Sequence, residues 1–521
     1  MRDPASIDNN AALPETAVGH MPDEQFRQLG HALVDWIADY HQQLSAGTFD
    51  APVRSEAKPG EVFASMPAVV PEQPCVWHDT LDHFNTSIMP GITHWQHPQF
   101  YGFFPANASG PAILGELLAA GLGVQGMLWA TSPACTEVET AVLDMLARAC
   151  GLPDVFLSGS PNGGGVIQGT ASEAALVSLV AARNRARVAL GPLKTAQREI
   201  VYCSSQAHSS ITKAAMIAGT ATGPDDRQAV RLIEPNWRSG DMGMSAASLA
   251  AAIETDVQAG HRPLMIAATI GTTSSMATDH LADIGALCRG RFAAQRLWLH
   301  VDAAMAGSAM ICPEHQPLLA GLEHADTYCW NPHKWLLTNF DCSLLYTSDR
   351  AGLTAGLSIT PEYLKNAAST VGSVIDYRDW QVPLGRRFRS LKLWFVLRHY
   401  GLANLRAYIR QHVSAAVWFE TFVKSEARLV MVSRSSNMNL VCFRCAARPG
   451  ELAADTDARS KALLEKLNSD GDMYLTHTVL PDAATGQSRY TLRLSIGGTY
   501  TTAEHVRQAA EMIRGALAAL N

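Results

Sequence analysis

The stretch "RLWLHVDAA", residues 296–304, decides the fold: an apolar, strand-forming run ends on a single carboxylate, Asp302. Continuous apolar strands belong to sheets covered on both faces, and in open α/β sheets ligands sit outside the carboxyl ends of the strands. Asp302 is therefore either the cap of a following helix or a group aimed at a ligand.

The same grammar repeats on either side. From about residue 110 to 350, short β-rich runs ("GVIQGT", "EIVYCS", "PLMIAATIGTT") alternate with longer Ala/Leu-rich helical segments. This alternation predicts β-α units around a mainly parallel sheet. "IAATIGTT" ends its own strand in Thr272 and Thr273, a second polar group for the same edge. One further unit along, "NPHKWLLTNF" (331–340) places Lys334 beside Trp335 and two leucines. Such a lysine either snorkels to solvent or sits in an apolar site. In an apolar site its pKa falls below about 10.4 and the neutral amine can attack an aldehyde.

"GGGVIQGTASEA" (163–174) runs from glycines through a short strand into a helix that starts with Thr170, Ala171, Ser172 and Glu173. One reading is a Thr-x-x-Glu capping box; the other is a phosphate site made by first-turn amides and hydroxyls. The glycines at 163, 165 and 169 miss the G-x-G-x-x-G spacing and no P-loop lysine follows, so neither a dinucleotide fingerprint nor a P-loop is present. A phosphate cradle, an acid to keep a pyridine nitrogen protonated, and a lysine that bonds to an aldehyde are together the parts needed to hold pyridoxal phosphate.

Outside this body, "DEQFRQLGHALVDWIADYHQQL" carries Phe26, Leu29, Leu33, Trp36 and Ile37 at helical spacing, and residues 1–20 are polar and read as disordered. After residue 385 a basic helical stretch leads to "LVCFRCA" and "YTLRLSI" as strands and to a terminal helix, which predicts a smaller α+β domain. The 41 Lys and Arg against 48 Asp and Glu give a net charge of -7 with no dense basic block, which disfavours nucleic acid. Of ten scattered cysteines only Cys442 and Cys445 form a CxxC pair, so reduced thiols in a cytoplasmic protein are expected and no zinc site. The first twenty residues lack the pattern of a signal peptide. "LLAAGLGVQGMLWA" (117–130) is broken by three glycines and Gln125, and predicts a buried or interface helix, not a membrane span.

These stretches, with "HPQFYGFFPANAS", "SPACTEVET", "QAHSSITKA" and "DYRDWQVPLGRRFRSLKLWFV", resemble the aromatic-L-amino-acid decarboxylases over about residues 22–515. These belong to the group II pyridoxal-phosphate decarboxylases of fold type I, the aspartate-aminotransferase-like fold. The resemblance implies an α/β large domain with a mainly parallel seven-stranded sheet over 111–384. It also implies a helical dimerisation segment over 21–110 and a small α+β domain over 385–521. The implied partners are a small aromatic amino acid and a second copy of the chain, with active sites at the interface, and neither nucleic acid nor membrane.

The resemblance also assigns roles. Lys334 is similar to the lysine that bonds to the cofactor aldehyde, Asp302 to the partner of the pyridine nitrogen, and Ala304 to the small residue against the ring. His208 resembles the stacking histidine that helps to place the substrate carboxylate. Ala171, Ser172, Asn331 and His333 match phosphate-binding positions, Thr273 lies near the ring, and Gly385 resembles a residue supplied across the dimer interface. Tyr363 matches the tyrosine of a mobile loop that protonates the α-carbon; aldehyde synthases of the family carry phenylalanine there.

Trp95, Phe103, Phe104, Met127 and Leu128 resemble the substrate pocket and give it an apolar, aromatic lining. Ala106, Met127 and Gln125 depart from the animal enzymes and weaken a preference for dihydroxyphenylalanine, while Gly385 leaves space for an indole. The expected activity is decarboxylation of an aromatic L-amino acid. Tryptophan is favoured, with phenylalanine, dihydroxyphenylalanine, 5-hydroxytryptophan and tyrosine as further substrates. An aromatic aldehyde synthase is the nearest alternative. An acidic amino-acid decarboxylase is more distant, since no arginine falls among the matched lining positions, as is a dimeric scaffold without turnover.

Overall fold

The computed structural model describes residues 20–520 except 236, 238–241, 360–373 and 434–436. It divides into two compact units after Asp50. The first is built on the helix Asp23–Ala46, ended by Gly47 in the left-handed region. Of the expected stripe, Leu29, Leu33, Trp36 and Ile37 are half-buried and Phe26 is exposed.

Among the described residues the second unit holds two sheets. The larger comprises β1 (Gly164–Gln168), β2 (Glu199–Ser204), β3 (Val230–Ile233), β4 (Arg262–Thr269), β5 (Trp298–Asp302), β6 (Thr327–Trp330) and β7 (Ser343–Thr347). Their order is β1-β7-β6-β5-β4-β2-β3, and β7 alone runs antiparallel to its neighbours β1 and β6. The mainly parallel seven-stranded sheet expected from the sequence is borne out. Helices Ala171–Leu190, Ser210–Ile217, Ala246–Gln258 and Leu281–Arg289 make the crossovers. Both faces are covered, so β2, β4, β5 and β6 are buried along their whole length.

The smaller sheet comprises β8 (Leu429–Ser433), β9 (Leu440–Cys445), β10 (Thr476–Pro481) and β11 (Ser488–Ser495), antiparallel in the order β10-β11-β9-β8. It shares a core with helices Ala453–Ser469 and Ala503–Ala519 and with the last turns of Arg389–Ser425. That long helix is kinked at Gly401, whose φ of 64° no other residue type adopts readily.

The apolar stretch after residue 110 forms a helix, Gly110–Leu122, that stops at Gly123. Leu114, Leu117, Leu118 and Leu122 on it are each half exposed in the single chain. Among the described residues no helix is long and apolar enough to cross a membrane. All ten cysteines are free thiols, and no described cluster of His, Cys, Asp or Glu could hold a metal ion.

One contact ties the small domain's supporting elements to the sheet edge where Lys334 lies. Trp335 donates its Nε1–H to His412 Nδ1 at 3.0 Å, and His412 Nε2–H donates to the Thr501 carbonyl at 3.1 Å. His412 is thus a satisfied neutral imidazole, and burial pushes it down to about 4. His300 is likewise pushed to about 4 and His333 to about 3, in both cases chiefly by burial.

These histidines stay neutral in the fold, whereas the unfolded chain takes up protons once the pH drops below 6.5. Stability is therefore full above that value and is lost as the pH falls toward 4, by about 3 kcal/mol per histidine at the acid end. The melting temperature is expected to fall over this window. A His412→Gln variant should be less stable at alkaline pH but show a shallower fall; an unchanged slope would contradict the contribution of His412.

Candidate active site

Five of the parallel strands deliver their carboxyl ends to one edge, and each hands over part of a cavity of about 190 Å³. After β1 come Thr170, Ala171 and Ser172; after β2, His208; at and after β4, Thr269, Gly271 and Thr273. β5 supplies Asp302, Ala304 and Met305, and β6 is followed by Asn331, His333 and Lys334. Parallel register aligns the strand ends, with Thr269 beside Asp302 and Asp302 beside Cys329. Gly271 has a φ of 82°, and a Cβ there would lie 2.7 Å from Met276 Sδ, so the turn after β4 requires glycine.

At one end of the cavity the donors suit an anion. The helix begins at Ala171 with Thr170 at its cap, but the Thr170 side chain makes no capping bond. Glu173 reaches back instead to the Gly169 amide at 3.1 Å and accepts from the Val382 amide at 3.3 Å, so the predicted capping box does not form. The first-turn amides at Ala171 and Ser172 have no intrahelical acceptor, and they carry the positive end of the helix dipole. His333 Nδ1 accepts the Cys342 N–H at 2.9 Å, which leaves Nε2 as the protonated nitrogen of a neutral ring. Asn331 Oδ1 accepts from Ser343 Oγ at 2.7 Å, leaving its amide N–H groups as donors.

At the other end lie the reactive groups. Lys334 follows β6 on a short helical turn, Pro332–Trp335, and its Nζ sits 5.3 Å from the centre of the Phe104 ring. Desolvation holds the amine below the ordinary lysine range, opposed by the Asp302 carboxylate and the Cys329 sulfur. Lys334 forms no ion pair among the described residues. Asp302 Oδ1 accepts the Ala304 N–H at 2.9 Å, so the carboxylate is fixed by its own turn and does not cap a long helix. His208 Nδ1 accepts the Ser210 N–H at 3.2 Å, which places the ring proton on Nε2. Loss of solvation lowers the His208 pKa, with Asp302 opposing and Lys334 adding to the shift. These groups fit pyridoxal 5'-phosphate: neutral donors and a helix N-terminus for the phosphate, a desolvated amine for the aldehyde, and a carboxylate with one oxygen unused for the pyridine nitrogen.

Of the residues matched to the substrate pocket, only Phe104 and His208 line this cavity among the described residues. Trp95 and Phe103 stack on each other at 5.6 Å on the surface, joined to Phe100 and Tyr474. Ala106 is half-buried and its carbonyl accepts from Gln96. Half-buried Met127 accepts the Arg378 N–H through its carbonyl at 3.1 Å, and buried Leu128 donates its N–H to Thr131 Oγ1 at 3.2 Å. Gly385 is exposed beside Gln125, next to the buried ion pair of Arg386 and Glu139. Tyr363 lies outside the described residues.

The sequence reading did not pick out Thr269, Gly271, Met305 or Phe340 as lining residues. Thr269, Gly271 and Phe340 stand in quoted stretches and Met305 directly follows one, but nothing in their local pattern separates a lining residue from a core one. Arg493 was also missed. Its guanidinium is buried 5.5 Å from the Phe104 ring, donating to Thr476 Oγ1 and the Thr273 carbonyl, and it does not itself line the cavity.

The family model for the pyridoxal-dependent decarboxylase conserved domain matches residues 59–446. The chain belongs to this family. The decarboxylase is similar to phenylacetaldehyde synthase of Arabidopsis thaliana, at 43% identity over 95% of the chain and 96% of that protein. It is also 43% identical to tyrosine decarboxylase 2 of Narcissus pseudonarcissus, over 95% of the chain and 94% of that protein. The crystal structure of Oryza sativa TDC with PLP and tryptamine superposes with a TM-score of 0.90 at 40% identity, covering 97% of this chain and all of that one. The expected group II family, fold and carboxy-lyase class are borne out, and pyridoxal 5'-phosphate is the cofactor.

A carboxylate at Ser172 separates the phosphate role from the structural one. In Ser172→Asp the new charge should favour the helix N-terminus by about 0.3–1 kcal/mol, so the apoprotein keeps or gains stability. Affinity for pyridoxal phosphate should nevertheless drop by about a hundredfold or more, because the two anions repel. Unchanged cofactor affinity, measured by fluorescence titration, would contradict the phosphate assignment.

Proposed function

We propose that the enzyme removes the carboxyl group of an aromatic L-amino acid as carbon dioxide and releases the arylalkylamine. Tryptophan is the favoured substrate, followed by phenylalanine, dihydroxyphenylalanine, 5-hydroxytryptophan and tyrosine. The observation that carries this reading is the meeting of Lys334, Asp302 and the Nε2–H of His208 in one cavity beside the Phe104 ring. The cofactor, when bound, supplies an aldehyde for covalent capture of an amine and a protonated ring that accepts the electron pair left by the departing carboxylate.

The chain's own residues do the rest. Ala171, Ser172, Asn331 and His333 hold the phosphate, and Asp302 keeps the ring nitrogen protonated. Ala304, Thr273 and His208 line the cavity and would hold the ring of the cofactor, with the small side chain of Ala304 leaving room for it. Desolvation raises the share of neutral amine at Lys334, the nucleophile that would hold the cofactor aldehyde. His208, with its ring proton on Nε2, would donate to the substrate carboxylate and orient it for loss of carbon dioxide. Tyr363 returns a proton to the α-carbon.

The working unit in this reading is a homodimer. The half-exposed leucines of Gly110–Leu122 and the exposed Trp394, Val382 and Leu384 form apolar surface suited to a second copy. Trp95, Phe103, Ala106, Met127, Leu128 and Gly385 then complete substrate pockets at the interface. The free cysteines suit a reducing, cytoplasmic compartment.

The similarity to phenylacetaldehyde synthase favours a second reading with equal weight, oxidative decarboxylation and deamination to an aromatic aldehyde. Incubation of the holoenzyme with each aromatic amino acid, histidine and glutamate, with amine, aldehyde and peroxide measured, decides between them. The expected result is arylalkylamine without peroxide, fastest from tryptophan. Aldehyde with stoichiometric peroxide would establish the second reading, and turnover of glutamate alone would overturn both.

A further inference from the structure

Behind Asp302 lies a row of buried polar side chains that the reaction described above does not use. His300 and Asp302 are two residues apart on β5, and Thr327 and Cys329 two apart on β6, so each pair shares one face of the sheet. Register places His300 beside Thr327 and Asp302 beside Cys329. The four side chains form a compact square, and Ser178 of the helix Ala171–Leu190 packs onto it. His300, Thr327, Cys329 and Ser178 are fully buried.

The Ser178 and Thr327 hydroxyls also lie 3.1 Å from each other, and the tautomer of His300 sets which way these hydrogen bonds run. Trp298 Nε1–H donates to Thr327 Oγ1 at 2.9 Å. His300 Nδ1 lies 3.0 Å from Thr327 Oγ1 and 3.1 Å from Ser178 Oγ, two hydroxyls able to donate to it. The ring is neutral, since burial pushes it down to about 4, so a proton accepted at Nδ1 leaves the ring's own proton on Nε2. That nitrogen is 3.8 Å from Cys329 Sγ, and the sulfur is 3.8 Å from Asp302 Oδ1. Burial raises the Cys329 pKa well above the ordinary thiol value, so it is an S–H donor. The reversed tautomer would turn the thiol toward His300 and deprive a buried carboxylate of a donor; the charged acceptor favours the first arrangement.

Asp302 Oδ1 then carries both protein donors, the Ala304 N–H and the Cys329 S–H, and Oδ2 has neither. We propose that Cys329 is a positioning residue for Asp302: its thiol, oriented by His300, pins Oδ1 so that Oδ2 is the oxygen presented to the pyridine nitrogen of the cofactor. This inference rests on Asp302 being the partner of that nitrogen. Ser178 also joins the row to the helix whose first turn holds Ala171 and Ser172, so the carboxylate and the phosphate cradle share one support.

The test uses Cys329→Ala, Cys329→Ser and Asp302→Asn, each reconstituted with pyridoxal phosphate labelled with ¹⁵N in its ring. The readouts are cofactor affinity of the apoprotein, the ring ¹⁵N chemical shift as a function of pH, and apoprotein melting. Cys329→Ala should bind the cofactor about tenfold more weakly. Its ring nitrogen should lose its proton at lower pH than in the parent. Cys329→Ser, whose hydroxyl can still donate to Oδ1, should restore both. If Cys329→Ala does not fold, Cys329→Val removes the donor while filling the volume and carries the same expectation. An unchanged ¹⁵N titration in the alanine or valine variant, with Asp302→Asn clearly altered, would overturn the role of the thiol. An unchanged titration in Asp302→Asn as well would overturn the assignment of Asp302 on which it rests.

Discussion

A half-buried lysine amine that loses much of its solvation, near a carboxylate but not paired with it, is the constraint on which the rest of this structure depends. Burial of a full charge without a partner is costly, so desolvation shifts Lys334 toward its neutral form. Asp302 contributes through space, opposing the shift without quenching the amine in an ion pair. The amine would lose this property if its site opened further to solvent or if Asp302 moved into contact. Both are prevented by the parallel sheet, which fixes the strand ends, and by the bond from Trp335 to His412, which holds the turn carrying Lys334.

The phosphate end obeys a complementary rule. A helix start normally satisfies its first amides with a capping side chain, and the sequence offers one in Thr170 and Glu173. The structure leaves that cap unmade and diverts Glu173 to Gly169 and Val382. Donors unsatisfied within the chain at a helix N-terminus favour an anionic ligand. Local stability is given up where binding needs the amides, a conflict between propensity and fold of the kind found at functional sites.

Much of this was legible in the sequence, and the reason is physical. Strands β1, β2, β4 and β5 are continuous apolar runs, so their position and the edge at which Asp302 and Thr273 emerge follow from pattern alone. β6 and β7 flank the more conspicuous lysine motif and were not singled out, although β7 is as long as β1 and β5. Phe104 and Arg493 are separated by most of the chain, and no local spacing announces that the second lies beside the first. The aromatic residues at 95 and 103 were recognised by motif, yet in the single chain they stack on the surface, away from the cavity.

We propose that Lys334 is the residue bonded to the cofactor. The most direct test is to reduce the cofactor-loaded protein with borohydride, digest it, and locate the pyridoxyl group by mass spectrometry. A single modification on the peptide that contains "NPHKW" at Lys334 is the predicted result. Modification of a different lysine, or stoichiometric cofactor binding with no covalent label after reduction, would contradict the account.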